Sequence, residues 1–327
     1  MSRESLRQAN TVANRLSLRE PLRDSLLLLD HVCELIRLDK GQDVKAALET
    51  LRIAFPQLEA FEREFPSLCF AIATGVGKTR LMAAFVVYLY RAHGMRHFFI
   101  LAPNLTIYNK LIADFTPGHE KYVLQGIAEF AQNPPEIITG DNYESGRGVR
   151  RERDLFGHDE AVHINIFNVS KINSEVRGGK APRIKRLSEY IGESYFDYLS
   201  GLDDLVLMMD ESHRYRASAG VAAINDLKPV LGLELTATPR TETGGGQEFR
   251  NVVYRYPLSA AMDDGYVKEP AVATRENFDA SQYSQAQLER LKLEDGVRVH
   301  ENVKVELEVY ARQHDKHRVK PFMLVVA

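Results

Sequence analysis

The sequence has few cysteines, no tryptophan and little net charge, and these shortages limit the kinds of site and partner that the protein can have. Its 327 residues contain two cysteines, Cys33 and Cys69, and no tryptophan. Two cysteines in apolar surroundings give almost no support to a disulfide framework or a zinc site, so a reducing compartment is expected. The net charge of −3 leaves nucleic-acid binding open, because such binding depends on where lysines and arginines cluster.

The sequence also has no long apolar run, and its first residues do not have the pattern of a secretory leader. Residues 1–4 carry charges of both signs, and no apolar segment follows them directly, so no signal peptide is expected. Hydrophobic residues make up 44% and charged residues 27% of the chain, which are ordinary values for a globular protein. We therefore expect a cytoplasmic protein with no membrane partner and with one large or two modest domains.

The most informative feature is a glycine-rich loop between a short apolar run and a helix-like stretch. The apolar run, 68–72, has the length of a buried parallel strand, and 80–90 has the apolar spacing of a helix. The segment between them, 73–79, is called the glycine loop below. Strand, glycine loop and helix follow one another in the order that a phosphate-binding loop requires.

The residue types within the glycine loop suit a nucleotide and a magnesium ion. Gly75 and Gly77 allow the backbone to approach a triphosphate and to turn its N–H groups inward. Lys78 supplies a positive charge for the β and γ oxygens, and Thr79 offers a hydroxyl to magnesium. The loop therefore predicts a site for a nucleoside triphosphate with magnesium, and a chance glycine-lysine turn at the surface is the alternative.

Strands and helices alternate through the middle of the chain, which predicts an α/β fold with a mostly parallel sheet. Strands are predicted at 68–72, 97–102, 162–167, 205–209 and 232–237. Ligands of such sheets bind at the carboxyl ends of the strands. We therefore expect four segments to share one edge of the sheet, namely 73–79, 103–106, 210–213 and 236–239.

Two adjacent carboxylates, Asp210 and Glu211, follow the apolar strand predicted at 205–209. In a nucleotide-hydrolysing site, Asp210 would hold magnesium through its water shell and Glu211 would orient the attacking water. Without the glycine loop, this acidic pair could also be interpreted as a chance acidic turn at the end of a strand. His213 is either a polar turn residue or a link between the nucleotide and the rest of the site.

Two basic, loop-like stretches, 146–153 and 177–186, combine glycine or proline with several cations. Either could contact phosphates, but a solvated surface loop is the favoured interpretation, because no aromatic residues are interleaved with the cations.

Three motifs, in this order and spacing, resemble motifs I, II and III of superfamily 2 helicases with a DExH box. They are 74–79, 210–213 and 236–239. Ile72 stands where the general loop pattern has a glycine, and a loop with Thr74 and no early glycine is familiar from that superfamily. The sequence between 65 and 268 is most similar to the motor subunit, called Res, of type III restriction endonucleases. The resemblance implies a RecA-like fold and ATP hydrolysis with magnesium.

The resemblance also implies roles for individual residues. The residues expected to serve hydrolysis are Lys78, Asp210, Glu211 and His213. Those expected to bind ATP are Gln57, Thr74, Gly75, Val76, Gly77, Lys78 and Thr79, and those expected to hold magnesium are Thr79 and Asp210. Thr236 and Thr238 would couple the nucleotide state to DNA contact. Gln57 lies where many members read adenine, although an ordinary glutamine at a helix start is equally expected there.

The segment 101–106 resembles motif Ia, which contacts one nucleic-acid strand in the family. The residues expected to contact nucleic acid, some of them weaker candidates, are Pro103, Asn104, Thr106, Thr139, Gly140, Asn168 and Lys171. Double-stranded DNA is the expected partner, and the family adds a methyltransferase subunit that reads the DNA sequence.

Four regions are expected along the chain: a helical N-terminal extension at 1–60, a first RecA-like ATP-binding lobe at 61–270, a helical connector at 271–320, and the start of a second RecA-like lobe at 321–327. The last segment has the pattern of a buried strand. We expect the arginine finger and any nuclease to lie outside these residues, so that the chain alone hydrolyses ATP slowly.

Three functions are compatible with the sequence. The leading one is the ATP-binding lobe of a DNA-dependent ATPase or translocase, as the motor of a type III restriction system. The second is a helicase-like ATPase of another defence or repair system without a nuclease. The third, a non-catalytic nucleic-acid-binding scaffold, is disfavoured because Lys78, Thr79 and the acidic pair are intact.

Overall fold

The computed structural model describes residues 3–145, 149, 161–169, 183–186, 193–216, 218–241, 246–269, 274–276 and 278–325. The chain divides into two compact units, Met1–Glu269 and Pro270–Ala327. Most of the two basic stretches predicted as loops lies outside the described residues.

A seven-stranded parallel sheet forms the centre of the first unit. Its strands are β1 Ser67–Ile72, β2 His97–Ala102, β3 Glu136–Thr139, β4 His163–Asn168, β5 Leu205–Asp210, β6 Leu231–Thr236 and β7 Val252–Tyr256. Their order across the sheet is β3-β4-β2-β5-β6-β1-β7, and every neighbouring pair is parallel. Every residue of β1, β4, β5 and β6 is buried, as expected of parallel strands that are covered on both faces. The predicted α/β fold with a mostly parallel sheet flanked by helices is confirmed.

Helices flank this sheet. In the described residues they are α1 Arg3–Arg15, α2 Glu20–Leu35, α3 Val44–Ala54, α4 Lys78–His93, α5 Leu105–Phe115, α6 Ala128–Gln132, α7 Tyr195–Gly201, α8 Ser218–Asp226 and α9 Leu258–Asp263. The helices α1 to α5 contribute to one hydrophobic core with the sheet, and α7 and α8 contribute to a second. The cysteines, Cys33 and Cys69, are buried in this interior as free thiols.

The two strands that the sequence did not predict, β3 and β7, lie at the two edges of the sheet. β3 has only four residues, and its first two are half-buried. β7 carries Arg255 on its exposed side. Edge strands are covered less completely than central ones, so neither segment needs the continuous apolar run by which the central strands are found.

The N-terminal helices are attached to the first helix after the glycine loop. Tyr88 of α4 donates a hydrogen bond of 2.7 Å to Asp30 of α2, and Ser5 of α1 also donates to Asp30. Leu22, Leu26 and other apolar residues of α2 are buried in the same core as α4. Leu22 also lies close to Gly77, the residue before α4, so the start of α2 lies beside the start of α4.

The second unit contains one long helix, α10, over Gln285–Gln313. Ser284 and Gln287 close its N-terminus with a capping box. Residues 314–325 form no helix or strand, and Phe322 and Leu324 are exposed, so the strand predicted over 321–327 is absent from the part of this segment that is described. No helix in the described ranges combines the length and apolar character that crossing a membrane requires.

Candidate functional site

The sheet order brings the four predicted site segments to one edge. The strands β2, β5, β6 and β1 are consecutive neighbours in the sheet and run in the same direction. The segments that follow them are 103–106, 211–213, 237–239 and the glycine loop. Because parallel strands present their carboxyl ends at the same edge, these segments form one continuous surface.

The glycine loop has the backbone conformation of an anion-binding cradle. Gly75 and Gly77 have φ angles of 89° and 125°, which L side chains rarely adopt. Gly77 precedes α4 directly, and no side chain caps this helix start. The N–H groups of the first helical turn therefore remain available to an acceptor such as a phosphate. Thr74 is exposed, whereas the Val76 side chain is buried in the core.

Lys78 connects the glycine loop to the acidic pair. Its ammonium nitrogen lies 2.8 Å from Oε1 of Glu211, and their side chains are only 10% and 20% exposed. The contact is an ion pair without the alignment of a hydrogen bond, and the ammonium makes no hydrogen bond to any other group within the described residues. A buried ammonium with its donors unused fits the binding of a further anion, as a triphosphate requires.

Asp210 ends β5 inside the site and is only 8% exposed. Burial raises the pKa of its carboxyl to about 6; Lys78 acts against this increase and the neighbouring Glu211 adds to it. Glu211 has a left-handed backbone, with φ 50° and ψ 53°, which is a strained conformation for a residue other than glycine. A buried carboxylate with a raised pKa is the type of group that a nearby cation stabilises.

Thr79 has an additional neighbour that the sequence did not predict. Lys110 of α5 donates hydrogen bonds to Oγ1 of Thr79 at 3.0 Å and to Asp114 at 2.7 Å. Lys110 also acts to lower the pKa of Asp210. A single lysine on a helix carries no motif, so only the packing of α5 beside α4 reveals this contact.

His213 joins the acidic pair to the segment after β6. Its Nδ1 lies 2.9 Å from Oγ1 of Thr236, 3.4 Å from Oγ1 of Thr238 and 3.5 Å from Oε2 of Glu211. The backbone N–H of Thr238 also donates to Oγ1 of Thr236. The structure therefore brings together the residues that the sequence placed in motifs II and III.

Gln57, the expected adenine reader, lies beside the edge strand β7. Its side-chain amide donates to the carbonyl of Val253 at 3.0 Å. This hydrogen bond fixes the amide against the sheet.

The predicted nucleic-acid residues that the structure describes lie at or just after the carboxyl ends of three neighbouring strands, β2, β4 and β3. Asn104 caps α5 by accepting a hydrogen bond of 2.9 Å from Ile107, beside Pro103 and the exposed Thr106. Thr139 and Asn168 are largely buried, at 8% and 4% exposure. The N–H of Gly140 donates to the hydroxyl of Tyr108. Lys171 lies outside the described residues.

A buried ionic network beside the site was also not predicted from the sequence. Glu234 of β6 is completely buried and accepts hydrogen bonds from Ser67 at 2.8 Å, Arg63 at 3.3 Å and Arg216 at 2.5 Å. Burial acts to raise the pKa of Glu234, but the two guanidinium groups and the hydroxyl outweigh it, so the pKa lies below its ordinary value. A charged residue within a buried strand was the signal in the sequence, because such a residue needs partners.

Arg216 connects this network to the acidic pair along the chain. It follows the short 3₁₀ helix Ser212–Tyr215, pairs with Glu62 as well as with Glu234, and lies 3.7 Å from the centre of the Phe249 ring. The position of the segment after the acidic pair is therefore fixed by a charged contact with β6.

The sequence is similar to a curated protein named "Probable type III restriction-modification enzyme HindVIP Res subunit", from Haemophilus influenzae (strain ATCC 51907 / DSM 11121 / KW20 / Rd). The two are 26% identical over 151 residues, which are 46% of this chain and 25% of the relative. The matched part therefore spans about a quarter of the length of that relative.

Three solved structures are also similar. The first, titled "Sulfolobus solfataricus SWI2/SNF2 ATPase core in complex with dsDNA", is 12% identical over 57% of this chain and 31% of its own, with a TM-score of 0.31. The ATP-dependent Type ISP restriction-modification enzyme LlaBIII bound to DNA is 13% identical over 62% of this chain and 14% of its own, with a TM-score of 0.38. A nuclease-deletion mutant of the Type ISP restriction-modification enzyme LlaGI in complex with a DNA substrate mimic is 14% identical over 68% of this chain and 20% of its own, with a TM-score of 0.33.

A family model described as "Type III restriction enzyme, res subunit" matches residues 42–241, which is more than half of the chain. This match includes the glycine loop, the acidic pair and the segment 236–239. The chain therefore belongs to the family of type III restriction enzyme Res subunits.

Proposed function

We propose that the chain is the ATP-binding lobe of a DNA-dependent ATPase or translocase, the motor part of a type III restriction system in the cytoplasm. The observation that carries this proposal is the 2.8 Å contact between Lys78 of the glycine loop and Glu211 of the acidic pair. It unites a phosphate-binding loop with a group able to polarise water. Family membership over residues 42–241 supports the same function.

In the proposed site, the glycine loop holds the triphosphate and Lys78 faces its β and γ oxygens. Thr79 and Asp210 are the residues that would hold magnesium, which supplies charge for the transferring phosphoryl group. Two observations fit these ligands: the start of α4 is uncapped, and the pKa of Asp210 is raised by burial. Both features favour a bound anion next to a bound cation.

Glu211 is the proposed water-orienting residue. Its carboxylate is shared between Lys78 and His213, so a triphosphate that attracts Lys78 would release one carboxylate oxygen for water. Positioning and charge neutralisation are the main protein contributions to phosphoryl transfer.

His213, Thr236 and Thr238 are proposed to couple the nucleotide to DNA. Because His213 touches both Glu211 and Thr236, a shift of Glu211 on nucleotide binding would reach the segment after β6 directly. The DNA contact is proposed for the neighbouring edge that carries Pro103, Asn104, Thr106, Thr139, Gly140 and Asn168, with Lys171 beyond it. A methyltransferase subunit that reads the sequence is the proposed protein partner.

The test of this function is Lys78→Ala in the complete protein that contains these residues. We expect the variant to lose DNA-stimulated ATP hydrolysis and to remain folded, because Lys78 is required for the phosphates and is not part of the apolar core. Lys121→Ala, which removes an exposed lysine outside the site, is the matched control. Unchanged turnover in the Lys78 variant would rule out the assigned site.

A second test uses these 327 residues alone. We propose that they bind nucleotide weakly and hydrolyse it slowly, because the arginine finger of such motors is expected from a second lobe. Absence of an arginine finger typically lowers turnover by about 10³-fold or more. Rapid DNA-stimulated hydrolysis by the isolated chain would contradict this proposal.

A further inference from the structure

The glycine loop is held from outside by an arginine of the N-terminal helices. Arg19 immediately precedes α2, and its Nη1 donates hydrogen bonds to the carbonyl of Gly75 at 3.2 Å and to the carbonyl of Val76 at 3.1 Å. These contacts join residues that are 56 and 57 positions apart in the chain. Arg19 belongs to none of the motifs found in the sequence.

The Arg19 guanidinium is itself supported by an aromatic ring. It lies 4.8 Å from the centre of the Tyr266 ring, which is within the range of a cation–π contact. The backbone N–H groups of Tyr266 and Val267 both donate to the carbonyl of Ala261, which fixes this segment after α9. Segments from before and after the sheet thus converge on the glycine loop.

Little free space separates these segments from the loop. A Cβ atom added to Gly77 would lie 3.1 Å from Leu22 of α2, and one added to Gly75 would lie 3.4 Å from Val267. Arg19 and Leu22 therefore approach the loop from the same helix start, and Tyr266 and Val267 approach it from the segment after α9.

The contact with Val76 has a direct consequence for phosphate binding. In a trans peptide unit the carbonyl and the following N–H point in opposite directions. A Val76 carbonyl that is bound by Arg19 therefore turns the N–H of Gly77 away from Arg19, towards the inside of the loop. The charge of the guanidinium also remains beside the loop at all physiological pH values and favours an anion there.

We propose that Arg19 is a positioning residue that holds the glycine loop in its phosphate-binding conformation, and that Tyr266 keeps the guanidinium in place. This inference rests on the proposed binding of ATP by the loop. It adds that the N-terminal helices, which lie outside the motifs of the ATP site, set the affinity for the nucleotide.

The experiment measures binding of a fluorescent ATP analogue, with magnesium, to the complete protein and to its variants. Arg19→Ala is expected to weaken binding by about tenfold, because an exposed charged hydrogen-bond donor to two carbonyls is lost. Arg19→Lys should recover part of this loss, since an ammonium reaches the carbonyls without the planar geometry of the guanidinium. Arg23→Ala, one turn along the same helix and bonded to Asn14, is the matched control and should bind within about twofold of wild type.

Two further readouts separate positioning from a general loss of structure. In hydrolysis assays Arg19→Ala should raise KM for ATP by about tenfold and leave kcat within about twofold. Without nucleotide, the melting temperature should change by less than about 2 °C. Should Arg19→Ala melt much earlier, Tyr266→Ala takes its place, because it removes the aromatic support and retains the arginine; the same weakening of binding is expected.

The outcomes distinguish this inference from the function on which it rests. Wild-type protein that binds no nucleotide contradicts the proposed function itself. Wild-type protein that binds nucleotide, together with Arg19→Ala and Tyr266→Ala variants that bind it equally well, overturns the positioning role and leaves the proposed function intact.

Discussion

Glu234 and Asp210 are buried carboxylates on the neighbouring strands β6 and β5, yet their pKa values are displaced in opposite directions. Burial acts to raise both. Around Glu234 two guanidinium groups and a hydroxyl outweigh the burial, whereas Asp210 has the partial compensation of Lys78 and the added repulsion of Glu211. The difference lies in the partners, not in the depth of burial.

The two carboxylates therefore represent two uses of a buried charge. Both oxygens of Glu234 are engaged by donors of the protein, from Ser67, Arg63, Asn251 and Arg216. Such a closed group stabilises one arrangement of the chain. Asp210 receives a single backbone hydrogen bond, from Glu211, among the described contacts. It keeps acceptor capacity for a cation from solution, at a cost in stability when none is bound.

The largest expected effect is on turnover, at Glu211, which directly follows the open carboxylate of Asp210. Glu211→Gln should lower ATP hydrolysis by the complete protein by about 10²- to 10⁴-fold, because the carboxylate that polarises water is lost. Nucleotide binding should remain, since Lys78 and the loop are unchanged. Steady-state turnover and a binding titration check this, with Glu49→Gln on the exposed side of α3 as control. Equal turnover in both variants would assign the water-orienting role elsewhere.

Glu234, whose two carboxylate oxygens are both bonded within the protein, should instead affect the stability of the fold. Glu234→Gln is expected to lower the free energy of unfolding by about 3–5 kcal/mol, because the buried Arg63 would lose its counter-charge and Arg216 would keep only Glu62. Urea denaturation measures this change. Glu248→Gln, which removes an exposed glutamate paired with two arginines, is the matched control and should hardly move the midpoint. Equal midpoints for the two variants would show that burial does not distinguish these networks.

Asp210→Asn should stabilise the protein in magnesium-free buffer by about 2–3 kcal/mol at pH 7.5. The folded pKa of about 6 lies above the ordinary value of 3.8, so the folded state binds more protons than the unfolded state between about pH 4 and pH 6. The free energy of unfolding of the wild type therefore falls as pH rises through this window. In the variant, residue 210 does not titrate, so this contribution to the decrease is absent. Melting in a chelator at pH 4.5 and 7.5 tests this; the same stabilisation at both pH values would contradict the pKa assignment.

The smallest effect is expected at Lys110, which shares the region of Asp210 and Thr79. Lys110→Ala removes a cation that competes with magnesium, so half-maximal hydrolysis should require about two- to threefold less magnesium. The effect is small because the lysine side chain is 57% exposed. A magnesium titration of hydrolysis measures it, with Lys121→Ala as control, and a raised magnesium requirement would mean that Lys110 assists the metal site.

The central strands and the loops after them were predictable from the sequence because both carry local signals. An apolar run marks a buried parallel strand, and the glycine loop and acidic pair follow such runs directly. The parallel order of the sheet then brings these ends together. The contact of His213 with Thr236 and Thr238 was anticipated only through resemblance to a family.

The remaining contacts depend on packing over long sequence distances. Arg19 and Lys110 are ordinary helix-associated cations in the sequence, and only the placement of their helices brings them to the glycine loop. The edge strands β3 and β7 lack the apolar run of a central strand. Arg216 and Glu234 each needed an oppositely charged partner, but the sequence alone did not show which of many possible residues it would be.

The support of the glycine loop by Arg19 and Tyr266 matters for choosing the limits of an expressed fragment. The family match covers 42–241, so a protein cut at those limits would contain the glycine loop, the acidic pair and the segment 236–239. It would nevertheless lack Arg19 at one end, and β7 and Tyr266 at the other. Weak nucleotide binding by such a fragment would then reflect the choice of boundaries, and longer fragments that begin before α2 and end after Val267 are the better starting point for crystallisation with nucleotide.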